Sequence, residues 1–330
     1  MCKLVFSLTG HGGHPNMIRI QRATHVQCVA LAFSEGSAPM NLTRPDGPEL
    51  QDGVASPSRR CFGALAMFAG YAAAVTPVHA NAITTSSDGL ITGMVSYPSR
   101  GFDLPAFVAR PSGRGRKPVV IVVSEVFGLH EYIRDICRRL AQLGYVAIAP
   151  AFFVRVADPA PLTDFAAIMP IVAAASNAQV MDDVTATIAW LDKQRFVAKK
   201  RIAITGFCWG GTVVWMASAL TGRIKAGVAW YGRFVARPGA TEDRKYPTQV
   251  AGDLKSPVLG LYAENDSGIP LPTVEAMRTA LSAAGNTSST IIIYPGTEHG
   301  FHADYRPAFN ETAAHDGWAR MLAWFRANGV

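Results

Sequence analysis

The feature that most limits what this chain can fold into is Pro118-Val119-Val120-Ile121-Val122-Val123, an apolar run with no polar interruption. A strand with one face in water alternates apolar and polar residues, whereas an unbroken run belongs to a strand covered on both faces, as in a parallel sheet wrapped in helices. Downstream, Glu131 to Leu143 sets Ile133, Ile136, Cys137, Leu140 and Leu143 at helical spacing, and Gly144 supplies the stop. Further strands are predicted over 145–149, 201–205, 224–231, 257–262 and 289–294, and helices over 178–191, 211–220, 270–284 and 314–327. The last helix carries Trp318, Met321, Leu322 and Phe325 on one face. Repeated alternation of strand and helix predicts an α/β fold, a mainly parallel sheet with helices on both faces. With 49% hydrophobic and 17% charged residues over 330 positions, the chain has enough core material to exclude collagen-like, coiled-coil and broadly disordered classes.

The first 57 residues show no sustained periodicity. Ser58-Arg59-Arg60-Cys61-Phe62 then leads into an uncharged stretch from Gly63 to Val75, followed by Thr76-Pro77-Val78-His79-Ala80. A basic start, a short apolar run and small residues at Val78 and Ala80 predict an export signal cleaved after Ala80. The paired arginines resemble the twin-arginine form of that signal, which engages the machinery that exports folded proteins. The expected organisation is a leader over 1–80 and one domain over 81–330, with a periplasmic or secreted product. Met40 is an alternative start. A membrane anchor or first core helix is the competing reading; the apolar run is shorter than the roughly 20 residues a span needs.

The leader holds six of the 31 Lys and Arg and four of the 24 Asp and Glu, so the net charge of +7 falls to +5 without it. The remaining basic residues are scattered apart from Lys199-Lys200-Arg201, read as a solvated turn, and no basic helix interleaved with aromatics suggests nucleic acid. Of five cysteines only Cys137 and Cys208 lie past the leader, too few for a disulfide scaffold.

In such a sheet, reactive groups gather on loops outside the carboxyl ends of the strands. Four loops there carry suitable side chains: those beginning Ser124-Glu125-Val126, Gly206-Phe207-Cys208, Glu264-Asn265-Asp266 and Gly296-Thr297-Glu298-His299. Gly206-Phe207-Cys208-Trp209-Gly210 fits a nucleophile elbow with Cys in place of Ser, because a strand turning sharply into a helix needs small residues two before and two after the nucleophile. The turn lifts Cys208 over the N-terminus of the next helix, which favours a thiolate. The Trp209 N–H and a second one from Val126 form the expected oxyanion hole. A buried structural Cys in a Gly-rich turn is the competing reading.

The chain order nucleophile, acid, histidine selects Asp266 and His299, each in a post-strand loop. His302 shares the His299 loop and is its rival, while His130 opens a helix and His315 lies in one. Glu264 and Asn265 are weaker alternatives to Asp266, which also sits in a good turn sequence.

Taken together, Glu125-Val126-Phe127-Gly128, Gly206-Phe207-Cys208-Trp209-Gly210-Gly211, Asp266 and His299-Gly300-Phe301 resemble the dienelactone hydrolase (carboxymethylenebutenolidase) family, from about Leu90 to the C-terminus. The resemblance implies an α/β-hydrolase fold without metal or organic cofactor, a Cys208–His299–Asp266 triad, and hydrolysis of a cyclic enol ester or activated ester through a thioester. It also implies that Glu125 pairs with the resting thiol until substrate binding releases a thiolate toward His299. A broader periplasmic carboxylesterase or thioesterase, and a non-catalytic hydrolase-like binding protein, are the alternatives.

Members of that family resemble one another in an Arg four residues after the catalytic His, where this chain has Ala303. Arg306 or His302 is the expected substitute, and with Tyr231 these are the candidate contacts to a small-molecule lactone or ester. Two insertions, 151–177 and 232–253, are expected to be loops or short helices bordering the pocket. Their Phe152, Phe153, Phe165, Met169, Phe234 and Tyr246 serve as lining or as packing.

Overall fold

The computed structural model describes residues 83–237 and 244–330. The expected leader, with its Arg59-Arg60 pair, the alternative start at Met40 and the cleavage after Ala80, lies outside the described residues.

In chain order the elements are β1 (Leu90–Ser99), β2 (Phe102–Pro111), β3 (Lys117–Val123), α1 (Glu131–Gln142), β4 (Val146–Pro150), α2 (Phe165–Ala174), α3 (Asn177–Asp192), β5 (Val197–Phe207), α4 (Trp209–Leu220), β6 (Ala226–Trp230), β7 (Val258–Ala263), α5 (Leu271–Ala283), β8 (Thr290–Tyr294) and α6 (Glu311–Ala327), with a 3₁₀ turn over Pro247–Asp253. The strands form one sheet in the order β1-β2-β4-β3-β5-β6-β7-β8. β1 and β2 pair antiparallel, as do β2 and β4, and every other neighbouring pair is parallel. Val119 to Val123 are fully buried, as their unbroken apolar run requires.

The strand order reverses direction once. From β3 the chain steps to β4 on one side, then crosses back over β3 to β5 and continues outward. Because parallel crossovers are right-handed, that reversal puts α1 on one face and α3, α4 and α5 on the other. α6 returns to the α1 face, where Phe325 packs on Tyr145 with ring centres 6.3 Å apart. The crevice at such a reversal, outside the carboxyl ends of β3 and β5, is where α/β sheets hold ligands.

Two sequence expectations need correction. β1 and β2 were not among the predicted strands. β1 is largely exposed and lacks an apolar run, so its position depends on its partners. A two-residue turn, Arg100-Gly101, with φ of 51° and 72°, joins the two strands, the geometry that matches their twist. Buried Asp183 of α3 then ties the hairpin down, accepting from Ser99 Oγ at 2.5 Å and from both terminal nitrogens of Arg155 at 2.6 Å. Second, Lys199-Lys200-Arg201 is no turn: it lies within β5, exposed, and the strand continues to Phe207 at the elbow. The 151–177 insertion holds one short helix, α2, started by the Asp164 side chain accepting from the Ala166 N–H at 2.9 Å.

Candidate active site

Cys208 stands between β5 and α4 with φ 56° and ψ −117°, a conformation that costs a non-glycine residue about 1–3 kcal/mol. The two flanking glycines make this turn possible. A Cβ on Gly206 would meet the Gly210 carbonyl oxygen at 2.4 Å, and one on Gly210 would meet the Val123 carbonyl oxygen at 2.4 Å. The start of α4 is therefore pressed against the end of β3, which brings the Val126 loop beside the elbow. The Cys208 N–H donates to the Trp230 carbonyl at 3.0 Å, anchoring the elbow to the next strand as well. Cys208 is 6% exposed, and its surroundings contrast with those of Cys137, which is fully enclosed within α1 so that burial pushes its thiol up.

His299 comes from the loop after β8. Its Nδ1 is 2.6 Å from Oδ2 of Asp266, whose Oδ1 accepts from the N–H groups of Gly268 and Ile269 at 2.9 and 3.0 Å. Those bonds fix the 3% exposed carboxylate at the loop after β7, so that it orients the imidazole. Cys208, His299, Val126 and Trp209 all border one cavity that opens to solvent. Trp209 heads α4, and N–H groups in the first turn of a helix have no partner inside it.

Tyr231 borders the same cavity, its ring edge-on to His299 with centres 5.1 Å apart. Its backbone φ is 38°, and its buried hydroxyl has no hydrogen-bond partner among the described residues. Met169 and Tyr246 also line the cavity, whereas Phe152, Phe153 and Phe234 are fully or almost fully buried in packing. Phe153 rests on Trp209 at 4.6 Å and Phe234 stacks on Tyr262 at 4.5 Å.

Glu125, fully buried after β3, differs from the sequence expectation. Its hydrogen bonds go to His130 Nε2 at 3.0 Å and Tyr305 Oη at 2.8 Å, and its Oε1 lies 3.1 Å from Arg306 Nη2. No hydrogen bond joins it to Cys208 among the described residues. The Arg306 contact is a charge contact, since its direction misses a hydrogen bond; Arg306 Nε instead donates to Tyr305 Oη at 3.1 Å. Burial opposes ionisation of Glu125, but Arg306, His130 and Tyr305 outweigh it and hold the carboxyl at about 2. His130, set aside in the sequence reading because it opens a helix, is thus a direct partner of this carboxylate.

His302 is also corrected. It lies 3% exposed outside the Cys208 cavity, its Nδ1 2.6 Å from Tyr132 Oη and its ring among Phe207, Trp230 and Trp318. Burial, with Arg139 nearby, drives its pKa down to about 3, so it stays neutral. Of the two stand-ins for the Arg missing at Ala303, only Arg306 reaches Glu125. The sequence reading missed three further cavity residues, Arg233, Arg237 and Arg244, from the loop after β6.

Residues 104–329 match the Dienelactone hydrolase family. The chain belongs to it. Over 275 residues it is 45% identical to a Methylorubrum extorquens protein named "Putative carboxymethylenebutenolidase", covering 83% of this chain and 94% of that one. An Escherichia coli protein of the same name is 44% identical over 262 residues, 79% of this chain and 96% of that one. The crystal structure of a "Putative Dienelactone Hydrolase" from Klebsiella pneumoniae superposes with a TM-score of 0.69 at 46% identity, covering 72% of this chain and 98% of that one. The fold is accordingly that of an α/β-hydrolase, and the chain is by class a carboxylic ester hydrolase. Among the described residues, no single helix is long and apolar enough to cross a membrane, and no group of three or more His, Cys, Asp or Glu could hold a metal ion.

Proposed function

We propose that this dienelactone hydrolase family member cleaves lactones or activated esters through Cys208, His299 and Asp266, with a thioester acyl-enzyme. The observation that carries the reading is the meeting of a strained elbow cysteine and an Asp266-bound histidine at one cavity. The proton of Cys208 passes to His299, whose Nδ1 is committed to Asp266. The thiolate attacks the substrate carbonyl, and the N–H groups of Val126 and Trp209 receive the oxyanion. Collapse of the adduct breaks the C–O bond and expels an enolate or activated alkoxide, a leaving group good enough for a weakly basic thiolate, and the proton held on His299 passes to it. The neutral His299 then draws a proton from water as its oxygen adds to the thioester, the C–S bond breaks to release the acid, and the proton on His299 returns to the Cys208 thiolate. The unpartnered Tyr231 hydroxyl is a donor for the bound ester.

Glu125 already sits off the thiol, balanced by Arg306. In this reading it tunes the field beside Cys208 while His299 acts as the base, and His130 and Tyr305 hold it there.

The test is a panel of dienelactones and short p-nitrophenyl esters against the full chain and Cys208→Ala. Turnover that drops at least about a thousandfold in the variant is expected; substantial residual turnover overturns the assignment. Turnover of p-nitrophenyl esters without dienelactones favours the broader carboxylesterase or thioesterase. A Cys208 inert to iodoacetamide at neutral pH favours the binding-protein reading.

We also propose export in folded form through the twin-arginine machinery to the periplasm or beyond, on the strength of Arg59-Arg60 and the uncharged stretch after them. Sequencing of secreted material should begin at Asn81, and retention of Met1 or Met40 would sink the idea.

A further inference from the structure

The parallel strands all begin at the edge of the sheet opposite the Cys208 cavity, and the segments entering β3, β5 and β6 there are basic. Arg114 and Arg116 precede β3, Lys193 and Arg195 precede β5, and Lys225 precedes β6, all of them exposed. β5 adds more. Lys117 pairs with Val197 and Val119 with Ile202, so Ala198-Lys199-Lys200-Arg201 stands opposite Pro118 alone, and the surplus leaves the ladder as a bulge with its three cations exposed. Charges scattered along the sequence are thereby gathered on one face, because parallel pairing sets the starts of distant strands side by side.

Little on this edge offsets them. Its acidic side chains among the described residues are Asp88, Asp192 and Asp253, and Asp192 is taken by Arg223 through two bonds of 2.7 and 3.0 Å. Arg114, Arg116, Lys193, Arg195, Lys199 and Lys200 make no ion pair with any described residue. Like charges gathered on one face repel, and a surface of opposite charge relieves that cost. Two apolar side chains share the edge: Leu143, 51% exposed after α1, and Leu220, 37% exposed at the end of α4, whose carbonyl accepts from Lys255 Nζ at 2.8 Å. Basic residues around exposed leucines match a layer of anionic headgroups over acyl chains. Nucleic acid fits less well. No exposed aromatic lies in these segments to stack on a base, and Phe196 has the Arg110 guanidinium 4.4 Å above its ring.

We propose that this edge is a docking face for an anionic phospholipid bilayer. The protein lies on the membrane with the starts of its parallel strands toward the headgroups, and the cavity at their far ends stays open to water. The proposal needs neither the thiol mechanism nor export, since it concerns the other end of the sheet.

The experiment uses the full chain with vesicles of phosphatidylglycerol mixed with phosphatidylcholine, and of phosphatidylcholine alone. Sedimentation should carry down at least about tenfold more protein with the anionic vesicles, an advantage that raised salt removes. Arg59 and Arg60 are cations too, so amide hydrogen exchange locates the contact. Exchange over 112–116 and 221–225 should slow at least about threefold on anionic vesicles, while exchange over 125–130 and 296–302 stays as it is. Each cation near such a surface is worth about fivefold in partitioning, so the slowing should disappear in Lys199→Glu/Lys200→Glu, two exposed positions away from the cavity. Arg114→Glu/Arg116→Glu should remove the slowing over 221–225 from the neighbouring loop, so that one misfolded variant leaves the other to be read. Equal partitioning on both vesicle types, slowing confined to residues 1–80, or slowing over 221–225 that both variants keep, overturns the proposal. Protection of the same segments by duplex DNA at a lower charge concentration than by vesicles also overturns it and assigns the face to nucleic acid.

Discussion

Arg306 and Arg233 both belong to the surroundings of Cys208, and they are built in opposite ways. Arg306 is 7% exposed, closed off by Glu125 and Tyr305, with its guanidinium 4.9 Å above the Phe127 ring. Arg233 is half-buried at the cavity wall and has no carboxylate among the described residues. A sealed ion pair serves the resting protein, because each charge is compensated before any ligand arrives. An open cation keeps its water instead, because no carboxylate among the described residues replaces it. The same residue type is thus compensated in one place and solvated in the other.

The largest expected effect breaks the sealed pair. Glu125→Gln leaves the Arg306 charge buried without its counter-charge, which should lower unfolding free energy by about 3–5 kcal/mol in urea denaturation. A variant as stable as wild type would show that Arg306 finds compensation elsewhere and would erase the contrast.

Acid titration gives the next effect. Glu125 is held at about 2 against an ordinary 4.5, so its contribution is complete above pH 4.5 and is lost as pH falls from there toward 2. His302 is pushed to about 3 from 6.5, so the unfolded chain binds its proton first and stability falls from pH 6.5 toward 3. Each group sets a slope of up to about 1.4 kcal/mol per pH unit. His302→Gln should flatten the curve between pH 6.5 and 4.5, and Glu125→Gln the part below 4.5. Stability profiles of the two variants that coincide with wild type would refute both assignments.

The smallest effect sharpens the comparison from the open side. Arg233→Met should move unfolding free energy by no more than about 0.5 kcal/mol, because no described partner is left unpaired. A loss of several kcal/mol would mean that Arg233, like Arg306, is structural.

The legible parts of this molecule were those whose physics is local. The run at Val119–Val123 announced a strand covered on both faces, and the glycines at 206 and 210 announced the elbow, since their absent Cβ atoms are what the turn requires. Asp266 and His299 could be nominated because each follows its strand by a few residues. The choice between His299 and His302 was not local. Gly300, at φ 84°, turns the chain between them, so that one ring meets Asp266 at the cavity and the other enters the core beside Tyr132. The cavity arginines carried no signal either, because isolated charges in a loop have no period to read.

By itself the sequence determined the α/β class, the parallel core and the turn at Cys208, consequences of backbone sterics and the period of apolar burial, and it nominated Asp266 and His299 by their places after their strands. Only the tertiary structure decided which charges meet. Glu125 is separated in the chain from Tyr305 by 180 positions, and the pairing that takes it off the thiol exists only once the loops after β3 and β8 are packed side by side.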